Sequence, residues 1–228
     1  MSERHTARHD LVWLESGSAS RATALPLPPL SAGDAITRLA EWIGAGRPLV
    51  VARQPAHLPP GRMRLGLPLP VSEGKLRLAF DVPRAAILRR AAPPPLAALP
   101  DHLPRRWRAS LEALLACPAI RAANPRAFGS AAMQAVTGIE CVSEESDLDL
   151  LLAPASREAA LATLAALARI DSAGVGPRID GEIVDAHGRA TSWRELAAGA
   201  ASILVKGHDS VAMTGHAEFL DGLGGAAA

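Results

Sequence analysis

Apolar residues recur along this chain at two periods, and the switches between them mark out its elements. Around Ile36, Leu39, Ala40 and Ile43 the spacing is that of one helical face. Ser31 before this run and Asp34 within it are an N-cap and a first-turn acid, and Gly44 and Gly46 end it. Pro48–Arg53 then reads as a strand. At Arg62–Leu67 and Lys75–Phe80, Arg62, Arg64 and Arg77 alternate with apolar residues, which predicts a sheet with one wet face. Pro68, Pro70 and Pro83 bound these strands.

Pro93, Pro94 and Pro95 fit neither a helix nor a central strand, so Ala91–Pro100 is the predicted linker. Beyond it, Pro104 stands at a helix start and Leu111, Leu114 and Leu115 give an amphipathic run that takes in Cys117 as a core residue. Strands are expected at 126–129, 146–153 and Arg178–Val184. A helix capped by Ser156 carries Leu161, Leu164 and Leu167 on one face, and Ser192 caps a short helix, Trp193–Ala198. Ala201–Lys206 is the last expected strand, and the chain from Thr214 reads as a frayed tail. The fold class is α+β: a small N-terminal α+β domain over residues 1–92, a second domain over 96–213, and a flexible tail over 214–228.

Composition narrows the function classes. Apolar residues make up 49% of the chain, enough for a sizeable core, whereas aromatics are only 3%, which argues against base-stacking platforms. A net charge of +1 lacks the basic surplus of a nucleic-acid binder. No apolar run is long enough to span a membrane and no signal peptide opens the chain, so a cytoplasmic protein without nucleic-acid or membrane partners is expected. Cys117 and Cys141 are too few for a disulfide framework, and no His/Cys cluster suits zinc. The chain has 22 Arg against 2 Lys, Lys75 and Lys206. Lys206, on an apolar strand, either snorkels or reaches a phosphate as a point charge. Between residues 84 and 108, Arg84, Arg89, Arg90, Arg105, Arg106 and Arg108 form either a docking surface for an acidic partner or a solvated face.

The chemistry is concentrated in Gly129-Ser130 and Ser146-Asp147-Leu148-Asp149-Leu150. Side chains alternate along a strand, so Asp147 and Asp149 project together while Leu148 and Leu150 enter the core. Two neighbouring carboxylates suit a hard cation such as Mg²⁺ (or Mn²⁺), whose remaining ligands are waters and substrate phosphates. Gly129-Ser130 falls between a strand end and a helix start, where backbone N–H groups hold a phosphate. Alone, either motif is also compatible with a turn or a solvated edge; their order is the signal. Two-metal phosphoryl chemistry calls for a third carboxylate, and Asp180 and Glu182 share one face of the later strand, with Asp180 favoured by its place behind Ile179. His9 and Asp10 read as a hydrogen-bonded strand start in preference to a catalytic pair, and His102, His187 and His208 as surface residues in loops.

With these motifs in this order the chain resembles the nucleotidyltransferase superfamily, whose members include DNA polymerase β. More narrowly it resembles the malonate decarboxylase holo-acyl-carrier-protein synthases, also called phosphoribosyl-dephospho-CoA transferases. The resemblance runs from Arg8–Leu14 through Pro48–Gln54, Pro60–Pro68, Gly129–Gly138, Ser146–Pro154, Asp180–Glu182 and Trp193–Leu196 to Val205-Lys206. It implies a polymerase β-type mixed sheet with flanking helices in the second domain. It also implies transfer of a phosphoribosyl-dephospho-CoA unit from triphosphoribosyl-dephospho-CoA to a serine of the apo acyl-carrier subunit of malonate decarboxylase, with release of pyrophosphate. Asp147, Asp149 and Asp180 become the catalytic metal ligands, and Gly129, Ser130, Lys206 and Glu182 the substrate contacts. Met133 stands where the family tends to have an aromatic. Two other readings share the motifs: a nucleotidyltransferase acting on another hydroxyl, and a non-catalytic relative that binds a nucleotide or a carrier protein.

Overall fold

The structure, a computed structural model, describes residues 6–26 and 30–223. The chain folds as two compact units, Met1–Pro93 and Pro94–Ala228. Both mix helices with a six-stranded sheet, an α+β class.

In the first unit the strands are β1 (Leu11–Leu14), β2 (Thr23–Ala24), β3 (Leu49–Val51), β4 (Arg62–Pro68), β5 (Arg77–Pro83) and β6 (Ile87–Ala91). They pair in the order β2-β5-β4-β3-β1-β6, antiparallel throughout. The arginine alternation does its expected work. Met63, Leu65 and Leu67 are buried on one face of β4 while Arg64, on the other, forms a two-bonded pair with Asp81 of β5 at 2.7 and 2.9 Å. Helix α1 (Ala32–Gly44) is capped by Ser31, whose Oγ accepts from the Asp34 N–H at 3.1 Å, and it buries Ala35, Leu39, Trp42 and Ile43. His9 and Asp10 form the turn into β1: the His9 N–H donates to the Val51 carbonyl, and buried Asp10 accepts the Ala7 N–H.

The second unit contains α2 (Arg108–Ala116), α3 (Pro118–Ala122), β7 (Arg126–Ala127), α4 (Gly129–Thr137), β8 (Leu148–Leu152), α5 (Arg157–Ser172), β9 (Ile179–Val184), β10 (Ala190–Ser192), α6 (Trp193–Ala197), β11 (Ser202–Lys206), β12 (Val211–Gly215) and α7 (His216–Asp221). Its sheet runs β12-β11-β10-β9-β8-β7 and is mixed, with β8 and β9 parallel across the α5 crossover and every other pair antiparallel. Leu148, Leu150, Leu152, Ile179, Ile183, Ile203 and Val205 give one face of the sheet to the core, where they meet Leu111, Leu167, Trp193 and Phe219 from the helices.

Five expectations need correction. The linker ends earlier than predicted, because Leu96 and Leu99 are fully buried and Pro94 and Leu96 exchange backbone bonds with Ala127 and Pro125. Leu161 lies half exposed, since the core stripe of α5 is Ala160, Leu164, Leu167 and Ile170, one helical face that passes Leu161 by. Cys117 caps the end of α2 and is only partly buried. Strands β10 and β12 stand where loop and tail were expected. The chain from Thr214 ends β12 and forms α7, pinned by buried Phe219, Leu220 and Leu223, while 224–228 lie outside the described residues. Among the described residues no helix is long and apolar enough to cross a membrane.

Candidate active site

Opposite the core-facing side, the second sheet presents a row of charges set by the β8–β9 register. Leu148 pairs with Ile179, Asp149 with Asp180 and Leu151 with Glu182. Register partners in neighbouring strands stand about 4.8 Å apart with side chains on the same face, so Asp149 and Asp180 are direct neighbours. Asp147, one residue before β8, continues the alternation opposite Arg178, the residue before β9; Arg178 Nη1 lies 3.6 Å from Asp147 Oδ2.

Local structure fixes both strands. Before β8, a turn places the Ser146 Oγ 2.9 Å from the Ser143 N–H, and Ser146 is buried. At the start of β9, the Ile179 N–H donates to Asp171 Oδ1 at 2.7 Å. The Ile179 carbonyl accepts from Trp193 Nε1 at 3.1 Å and from Arg194 Nη2 at 3.0 Å. Gly181 is required on the core side, since a Cβ there would lie 2.9 Å from the Leu150 carbonyl oxygen. Sequence reasoning saw Gly181 only as a neighbour of Glu182.

Gly129 opens α4 with φ +66°, and a Cβ built on it would fall 2.0 Å from Asp149 Oδ2. The helix start is thus seated against the Asp149 carboxylate as only glycine permits. The Phe128 N–H anchors the turn on the Asp149 carbonyl at 3.0 Å. Phe128, the N-cap, provides no side-chain cap to the first turn of α4.

Glu182 and Lys206 are brought together, but not beside the aspartates. Lys206 Nζ lies 3.0 Å from Glu182 Oε1, with the Glu182 side chain 8% exposed. Glu182 is therefore the counter-charge of the lysine, whereas Asp180 faces Asp149 directly and uses Oδ1 to accept the neighbouring Gly181 N–H at 2.9 Å. Met133 is fully buried, so the side chain at that position packs in the core. His102 and His187 are exposed, as are Arg105, Arg106 and Arg108, with Arg106 donating to the Ser143 carbonyl.

The donor set is all oxygen, which suits a hard cation. Among the described residues no three His, Cys, Asp or Glu side chains are gathered to hold a metal ion, so Asp147, Asp149 and Asp180 do not form a closed cage. Asp147 stands a pleat away from Asp149 and leans to Arg178. The arrangement fits Mg²⁺ held by one or two carboxylates with substrate phosphates completing the shell, the usual mode for that ion.

Comparison with known proteins covers both units. Residues 7–93 match the phosphoribosyl-dephospho-CoA transferase MdcG N-terminal domain and residues 95–217 the C-terminal domain of the same family. A phosphoribosyl-dephospho-CoA transferase of Xanthomonas axonopodis pv. citri is 42% identical over 87% of this chain and 89% of its own length. One from Bradyrhizobium diazoefficiens is 34% identical over 98% of this chain and 96% of its own. One from Xanthomonas campestris pv. campestris is 39% identical over 89% and 91%. No solved structure matches the chain.

Proposed function

The chain belongs to the phosphoribosyl-dephospho-CoA transferase family, and from that premise we propose that it moves the phosphoribosyl-dephospho-CoA group of triphosphoribosyl-dephospho-CoA onto a serine of the apo acyl-carrier subunit of malonate decarboxylase. Pyrophosphate is the second product. The observation that carries this reading is the pairing of Asp149 with Asp180 across β8 and β9, with Gly129 seated against the Asp149 carboxylate. Acids on adjacent strands beside an uncapped Gly-Ser helix start are the parts a polymerase β-type nucleotidyltransferase needs.

In the reaction the serine Oγ forms a bond to the α-phosphorus, the bond from that phosphorus to the bridging oxygen of pyrophosphate breaks, and the hydroxyl proton passes to solvent. Mg²⁺ or Mn²⁺ bound by Asp149 with Asp147 or Asp180 would supply charge neutralisation for the triphosphate and acidify the incoming hydroxyl. The N–H groups of Gly129 and Ser130 hold a phosphate oxygen by direct donation and by the helix dipole. Lys206 stands on the same face, as the counter-charge of the buried Glu182 carboxylate. No nucleophilic side chain of the enzyme is required, because the acceptor brings its own. We assign the protein to the cytoplasm, which accords with a chain of only two cysteines.

The test is intact-mass spectrometry of the apo carrier after incubation with enzyme, Mg²⁺ and donor. The carrier should gain the mass of the donor less pyrophosphate, and Asp149→Asn enzyme should leave it unmodified. An unmodified carrier with wild-type enzyme, or full modification by Asp149→Asn, overturns the reading.

A further inference from the structure

Arg178 occupies a place on the acid face that the reaction as described leaves unused. The Leu148 N–H donates to the Arg178 carbonyl at 2.9 Å, which fixes Arg178 opposite Asp147, and alternation along β9 puts it on the same side as Asp180. Its side chain is 59% exposed and its Nη1 is 3.6 Å from the Asp147 carboxylate, outside hydrogen-bond distance. Two other arginines of this unit behave differently. Arg194 meets Asp171 at 2.8 Å and Arg189 meets Asp185 at 2.7 Å, each on an acid whose side chain is at most 17% exposed. Those pairs hold β9 and its neighbours in place. The Arg178–Asp147 pair is a loose, solvated one of the kind that adds little to stability.

A guanidinium differs from an ammonium in presenting a planar fork that matches two phosphate oxygens at once. Arg178 carries such a fork two residues along the chain from Asp180 of the Asp149–Asp180 pair, on the side away from Glu182 and its partner Lys206. We propose that Arg178 is a binding residue for the phosphate chain of the donor, resting on Asp147 in the empty enzyme and passing to the departing pyrophosphate oxygens when substrate binds. The exchange has a second effect: as the guanidinium leaves, the Asp147 carboxylate is released for the cation that accompanies the phosphates. Arg178 is thus a placeholder charge that keeps Asp147 compensated until the donor arrives. This rests on the transferase reading above.

The experiment uses the full chain and two variants, Arg178→Gln and Arg178→Lys, with inorganic pyrophosphate plus Mg²⁺ as the calorimetric probe and carrier modification as the kinetic one. Loss of a charge-assisted fork should weaken pyrophosphate binding and raise the donor KM by about tenfold or more in Arg178→Gln. Arg178→Lys should fall between, since it restores charge without the fork. The carrier KM should stay within about twofold and the melting temperature within about 2 °C, as expected for an exposed side chain with a loose partner. Pyrophosphate affinity of Arg178→Gln within about twofold of wild type overturns the proposal, and so does a parallel loss in the carrier KM and the melting temperature, which marks a structural role. If wild-type enzyme leaves the carrier unmodified, the transferase reading fails, and the role of Arg178 is then decided by the pyrophosphate affinities alone.

Discussion

Replacing Gly129 by alanine tests the site at its tightest point. Two costs follow from the structure. The first is conformational: φ is +66°, and a residue with a Cβ in the left-handed region costs about 1–2 kcal/mol. The second is steric and falls on the chemistry. The new Cβ would lie 2.0 Å from Asp149 Oδ2, and real Cβ contacts essentially never close below 3.0 Å, so the carboxylate must retreat by about 1 Å. A misplacement of that size costs on the order of 100-fold in rate, roughly 2.7 kcal/mol of barrier. Gly138, at the other end of the same helix, provides the control. Its φ is +70°, but nothing lies within 4 Å of where its Cβ would be. Both Gly129→Ala and Gly138→Ala should therefore lose on the order of 4–8 °C in melting temperature. Only Gly129→Ala should lose about 100-fold in kcat/KM for carrier modification, read as initial rates by intact mass. Rates for the two variants within about threefold of each other would refute the argument that Asp149 is positioned against the helix start.

Three further outcomes are expected. Asp180→Ala should depress turnover by about 100-fold or more, with the deficit greatest at low Mg²⁺, while Glu182→Ala should act mainly on stability; the reverse ranking in steady-state kinetics would move the role to Glu182. Lys206→Met strips a buried carboxylate of its counter-ion and should destabilise by about 1–3 kcal/mol in urea melts, whereas Glu182→Gln combined with Lys206→Met should recover most of that loss; a double variant no more stable than Lys206→Met would show that the pair is not coupled. In the first unit, the hydrogen bond to Asp81 raises the Arg64 pKa against desolvation, with the Asp81 charge adding to the rise. A raised pKa means that stability linked to Arg64 is complete below the unfolded guanidinium value and is lost only as pH climbs through the still higher folded one. Moving pH around neutrality should therefore leave this contribution unchanged, while Asp81→Asn lowers stability by about 1–2 kcal/mol, read by thermal melts of the full chain; loss of the Arg64 contribution near neutral pH would contradict the assignment.

What could be read from the sequence was what is local. The caps at Ser31 and Ser156, the alternation around Arg64, and the placement of Asp147 and Asp149 against core-facing Leu148 and Leu150 all depend on neighbours within a few residues, and each appears in the structure. Strands β10 and β12 escaped notice because three to five residues with small or polar members show no period. Helix α7 was hidden by its small, glycine-rich surroundings, although Phe219 and Leu220 bury it. The site divides along the same line. That Asp180 shares a face with Glu182 follows from counting by two. That Asp149 abuts Asp180, that Glu182 is taken by Lys206, and that Arg178 stands over Asp147 are facts of register between distant segments. Arg178 had one available signal, its alternation with Asp180.

The parallel pairing of β8 with β9 also bears on how the protein comes into being. Hairpins such as β9–β10 and β11–β12 join strands that adjoin in the chain and can form within microseconds of becoming available. Parallel neighbours have no such shortcut, because a full crossover, here α5, must be made and laid across the sheet before the first rung closes. During synthesis Asp149 leaves the ribosome well before Asp180, so a nascent chain carries each acid without the other until α5 docks. Among the strand pairings of the second sheet, the least local is thus the one that creates the paired acids. A chain caught short of it would keep much of its secondary structure and be silent in catalysis, which makes the appearance of activity during refolding a clock for the crossover itself.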